Sequence, residues 1–146
     1  MDALREKLVI NVKGGDWLKN RDNYDVEMCE VNNWYCAQSR HYDAIVDGIK
    51  IEVKKTKTSA SIIKLQQLAE IVLSQELQDI KYLIVRTTPN QEDVKSAFLV
   101  PSKDLCEIIG MTKELAEQTL AVHEAFGCTI QMTLKQVDIE RYRIQG

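Results

Sequence analysis

Asp43, Glu52 and Lys54 are the residues of this chain whose types and spacing most suggest shared chemistry. They lie in His41–Lys57, which reads HYDAIVDGIKIEVKKTK. Asp47-Gly48 at its centre predicts a two-residue hairpin, because a type I′ turn needs positive φ at both positions. That turn sets Val46 against Ile49, Ile45 against Lys50, Ala44 against Ile51, Asp43 against Glu52 and Tyr42 against Val53. Strand side chains alternate, so one face collects Ala44, Val46, Ile49, Ile51 and Val53. The other collects Asp43, Glu52 and Lys54, with His41 opposite Lys54. Opposed residues have Cβ atoms roughly 5 Å apart. Two carboxylates so close repel unless a cation or a proton lies between them. The plainer alternative is the wet face of a two-sided antiparallel sheet.

Asp43 followed across a hairpin by Glu52-Val53-Lys54 resembles the active-site hairpin of the PD-(D/E)xK nuclease superfamily, with its restriction-endonuclease-like fold. Tyr42 stands where that family usually has proline. The resemblance implies an α/β (mixed α+β) fold, a central mixed sheet carrying the hairpin between helices. It also implies Mg²⁺, with Mn²⁺ as a substitute, held by Asp43, Glu52 and the Val53 carbonyl, and Lys54 beside the attacking water. By the same resemblance Glu27, on the helix before the hairpin, is a further metal candidate. Gln66 or Gln67, on the helix after it, could support the lysine, and His41 could touch a phosphate, although an exposed strand histidine is the plainer reading.

The elements around the hairpin follow from patterning. Leu4, Leu8 and Val12 suggest a first short helix, broken at Gly14-Gly15, with Trp17 as a core anchor beyond it. Asp22–Tyr35 reads as a helix whose face is Tyr24, Met28, Val31 and Tyr35. Thr58-Ser59-Ala60-Ser61 looks like a capping cluster. Ile62, Leu65, Leu68, Ala69, Val72 and Leu73 then recur at helical spacing. Ile80–Thr87 is an apolar, β-branched run expected to be a buried strand. Ala97–Val100 is another, stopped by Pro101. The strand–helix–strand step between hairpin and Ile80–Thr87 predicts a parallel pair. Ser102 is expected to cap a helix through Ile109, and Thr112 one running to Phe126 with Leu115, Leu120, Val122 and Phe126 apolar. Thr129–Leu134 reads as a last strand.

The whole of 1–146 is read as a single domain, with the nuclease core at about 20–101 and a helical extension over 102–146 offering dimer or DNA contacts. Composition is that of an ordinary globular protein, with 45% hydrophobic and 28% charged residues. No signal peptide or membrane span is evident, so a cytoplasmic or intracellular site is expected. Cys29, Cys36, Cys106 and Cys128 lack zinc-site spacing. The net charge of −3 does not mark a nucleic-acid binder. Local charge does: Lys50, Lys54, Lys55, Lys57 and Lys64 face Glu52 alone between Lys50 and Lys64. Lys50, Lys55, Lys57 and Lys64 are therefore DNA-contact candidates, or else lysines that protect a sheet edge.

The reading favours a metal-dependent deoxyribonuclease that cuts duplex DNA at specific sequences. A homodimer or larger assembly is expected, because two strands need two sites. A structure-specific enzyme such as a Holliday junction resolvase would share the site. A non-enzymatic DNA-binding or interaction domain on the same fold is the third reading.

Overall fold

The computed structural model describes residues 10–11, 24–37, 39, 41–74, 79–90 and 93–146, with the backbone alone for 24–27. The first helix expected near Leu4–Val12 and the Trp17 anchor lie outside the described residues, apart from Ile10 and Asn11. The described elements run α1 (Tyr24–Asn32), β1 (Tyr35–Cys36), β2 (Ala44–Val46), β3 (Ile49–Thr56), β4 (Ala60–Lys64), α2 (Leu65–Leu73), β5 (Lys81–Thr87), β6 (Val94–Pro101), α3 (Ser102–Ile109), α4 (Lys113–Phe126) and β7 (Gln131–Lys135). A 3₁₀ helix (Gln136–Tyr142) and β8 (Arg143–Gln145) complete the chain.

Six strands form a mixed sheet in the order β1-β2-β3-β5-β6-β8. Only β3 and β5 are parallel, as expected of two strands separated by a helix. The hairpin forms as the Asp-Gly pair dictates: Asp47 and Gly48 have φ of 50° and 79°, and Val46 pairs with Ile49. Both sheet faces are covered, which explains the unbroken apolar run of β5. Ile51, Val53, Leu83, Val85, Ala97 and Leu99 meet Ile10 and Met28 on one face. Tyr82, Ile84, Phe98 and Val100 meet Leu68, Ala69 and Ile71 of α2 and Leu105 of α3 on the other.

Several elements depart from the sequence expectation. The second half of the presumed capping cluster is strand: Ala60–Lys64 pairs antiparallel with β7, burying Ser61 and Ile63 and exposing Ile62. Its β-branched residues suit a pleated ladder better than a first helical turn. Helix α2 therefore starts at Leu65 without a side-chain cap, and the Leu65 N–H donates to the Ile130 carbonyl instead. Helix α1 stops at Asn32, where Asn33 takes a left-handed φ of 56°. Among its described side chains Met28 and Cys29 are buried, while Val31 is exposed and Tyr35 lies exposed on β1. Ser102 is the first residue of α3, not its cap, and its hydroxyl donates to the Ile80 carbonyl. Thr112 does cap α4, accepting from Leu115 N at 3.1 Å. That helix buries Ala116 and Thr119, and Leu115, Val122 and Phe126 are exposed.

Residues 102–146 are more than a helical extension, since β8 joins the central sheet beside β6. Gln145 clamps Ile10 from there, accepting from its N–H at 2.6 Å and donating to its carbonyl at 3.0 Å. Among the described residues no helix is long and apolar enough to cross a membrane.

Candidate active site

The site is built where β2 ends beside β3. The ladder stops at Ala44 and Ile51, so the expected opposition of Asp43 to Glu52 does not continue it. The chain bends at Asp43, whose N–H donates to the Ile51 carbonyl at 2.8 Å. Its side chain then supplies the next acceptor: Val53 N–H donates to Asp43 Oδ2 at 2.7 Å. The Asp43 carbonyl accepts from Ala37 N at 3.0 Å, which holds the bend from the β1 side. Asp43 is thus fixed against β3 by main-chain bonds on both flanks. The N–H and C=O of one strand residue point to the same edge, so the Val53 carbonyl also faces the edge where Asp43 stands.

Glu52 and Lys54 lie two residues apart on β3 and share the face that α2 covers. Burial is the decisive correction to the wet-face alternative, because Glu52 is 5% exposed. A carboxylate so buried needs partners. Gln67 Nε2 donates to Glu52 Oε2 at 2.8 Å, and Gln67 Oε1 accepts from Lys54 Nζ at 3.1 Å. Lys54 Nζ lies 3.7 Å from Glu52 Oε1. One amide therefore ties the carboxylate to the ammonium, and both ends of the amide are used. The sequence left Gln66 and Gln67 open; Gln67 is the one that α2 turns towards β3.

One helical turn on from Gln67, Glu70 Oε2 meets His41 Nε2 at 3.0 Å. His41 lies in the bend before β2, half-buried against Glu70, and is not the exposed strand residue that the alternation suggested. Glu70 had no signal of its own in the sequence.

Tyr82 was also missed. It is the register partner of Glu52 on β5, and it is fully buried. Its hydroxyl has no hydrogen-bond partner among the described residues. Burial first, then the negative charge of Glu52, with Cys106 and Asp43 after it, pushes the phenol well above its ordinary value.

Among the described residues no three His, Cys, Asp or Glu side chains gather as a metal cluster. The donors at hand are two carboxylates and a strand carbonyl. That all-oxygen set fits Mg²⁺, which keeps several of its waters. Glu27 sits on α1, but its side chain lies outside the described residues.

The lysines proposed for DNA contact do not form one group. Lys50 lies over the Tyr42 ring, 5.4 Å from its centroid. Lys55 alternates to the other face of β3, away from Lys54. Lys57 and Lys64 are exposed, on the bend after β3 and at the end of β4. Comparison of the sequence with protein-family models and with curated proteins finds no match.

Proposed function

We propose that the protein is a Mg²⁺-dependent DNA endonuclease that hydrolyses phosphodiester bonds, of PD-(D/E)xK type with a restriction-endonuclease-like core. The observation that carries this reading is Gln67 joining buried Glu52 to Lys54 beside the Asp43–Val53 clamp. A merely solvated sheet face gives no reason to bury a carboxylate and an ammonium under a helix.

In this reading Asp43, Glu52 and the Val53 carbonyl would hold the cation, which would supply Lewis acidity to an attacking water and countercharge to the phosphate. The main-chain bonds on Asp43 hold its carboxylate in place before substrate arrives. Lys54 places its ammonium where negative charge grows in the transition state, and Gln67 holds it at that height above the sheet. The His41–Glu70 pair orders the flank of α2 nearest the bend. Cutting both strands of a duplex together takes two such sites, so the proposal includes a homodimer.

The test is incubation of a large mixed duplex DNA and of a four-way junction with Mg²⁺ and either the wild type or Lys54→Ala. Discrete duplex fragments from the wild type alone support a sequence-specific endonuclease. Cleavage confined to the junction moves the substrate to branched DNA. No cleavage of either DNA rejects the enzyme reading in favour of a binding domain.

A further inference from the structure

One pair of residues further along the same sheet face lies a second polar site. Thr56 pairs with Arg86 across β3 and β5, just as Glu52 pairs with Tyr82 and Lys54 with Ile84. Arg86 opens into a shallow notch lined also by Thr56, Thr58, Ser59, Ser61 and Gln136, over an apolar floor that includes Phe98. The notch has room for about one water-sized group.

Arg86 is unusually short of partners for a guanidinium in such a place. Nη1 donates to Gln136 Oε1 at 3.1 Å, and the buried Nε has no partner among the described residues. The other end of Gln136 donates to Glu140 Oε1 at 3.1 Å, but that carboxylate is gripped by two nitrogens of Arg143, at 2.6 and 2.9 Å. Glu140 therefore does not neutralise Arg86. The hydroxyls of Thr56 and Thr58 both donate to the Ala60 carbonyl, which wraps the loop around the notch. Ser59 and Ser61 add two further hydroxyls to the lining. A guanidinium carries five N–H donors, and a half-buried one among hydroxyls that spends a single N–H on Gln136 among the described residues is complementary to an anionic oxygen.

We propose that this notch receives a phosphate oxygen of the nucleic-acid strand, one phosphate away from the group at Glu52 and Lys54. Lys54 and Thr56 are two residues apart on one face of β3, roughly 7 Å along the strand. That step matches the separation of neighbouring phosphates in a nucleic acid. The identity of the ligand rests on the nuclease reading; the charge and shape of the notch do not. Arg86 would be a positioning residue that fixes the register of the strand over the catalytic group.

The experiment is equilibrium binding of a fluorescein-labelled duplex, followed by anisotropy at several salt concentrations. It uses Glu52→Gln protein, so that nothing is cut. Adding Arg86→Gln should weaken binding about five- to tenfold and lower the salt slope by about one. Arg86→Lys should restore most of both. Ser59→Asp, at an exposed residue, should weaken binding without disturbing the interior, and it decides the matter if Arg86→Gln fails to fold. Unchanged affinity and slope in Ser59→Asp and in folded Arg86→Gln would overturn the proposal. Wild-type cleavage measured in parallel separates the two readings. Cleavage with unchanged binding in the variants overturns the notch alone. Weakened binding without cleavage overturns the enzyme alone, and no DNA binding by any form overturns both.

Discussion

Gln67 Nε2 lies 2.8 Å from Oε2 of Glu52, and this bond ties α2 to β3 inside the sheet. Because the same amide accepts from Lys54, removing it leaves a buried carboxylate and an ammonium each short of a partner. Gln67→Ala should cost about 1–3 kcal/mol of stability, as expected for hydrogen bonds to charged groups. It should slow DNA cleavage by about a hundredfold through misplacement of Lys54. Urea unfolding and single-turnover cleavage measure the two effects, and Gln66→Ala should show neither.

Asp43 offers a way to separate structure from chemistry. Asn keeps an oxygen that can accept from Val53 N–H, whereas Ala does not. Asp43→Asn should therefore unfold near the wild-type urea midpoint, and Asp43→Ala should lose about 1–3 kcal/mol. Both should lose cleavage, because neither supplies a carboxylate to a divalent cation. Retained cleavage in Asp43→Asn would remove Asp43 from the metal site.

The hairpin, β5 and α4 were legible in the sequence because each is fixed by local signals. The Asp47-Gly48 pair sets the turn, the apolar run sets β5, and Thr112 and Gly127 bound α4. What escaped depended on distant partners. Ala60–Lys64 is a strand because β7 comes back to pair with it. Asp43 leaves the ladder because β1, a two-residue strand too short to leave a pattern, holds the other side of the bend. Glu52 carries no mark of burial until α2 is laid over it. Tyr82 joins the site only through the parallel register, which no local spacing reveals.

Tyr82 leads to a third expectation. Its buried hydroxyl has no partner among the described residues, so it contributes desolvation cost and no hydrogen bond. Tyr82→Phe should leave stability unchanged or raise it by up to about 1 kcal/mol, as read by thermal melting. A loss of several kcal/mol would show that the hydroxyl is bonded in solution. Cleavage should persist.

The edge strand β8 carries a pH dependence. Arg143 donates to Glu140 at 2.6 and 2.9 Å and stacks on Phe98, 5.1 Å from its centroid. The bond from Arg143, then the one from Gln136, lowers Glu140 from 4.5 to about 2. A carboxylate depressed in the folded state stabilises it above the unfolded value, and that contribution disappears as pH falls from about 4.5 towards about 2. The group is exposed, so the effect is small. The melting temperature of the wild type should exceed that of Glu140→Gln at neutral pH, and the gap should close over this acid range. A gap constant with pH would contradict the assignment.

Joint action of Asp43, Glu52 and Lys54 on a phosphodiester can be read from the single-turnover rate of DNA cleavage by wild type and Glu52→Ala across a Mg²⁺ titration, with both proteins shown to be folded. The wild-type rate should saturate with Mg²⁺, and the variant should be at least about a thousandfold slower at every concentration. Equal rates for the two proteins, or a wild-type rate indifferent to Mg²⁺, would contradict it.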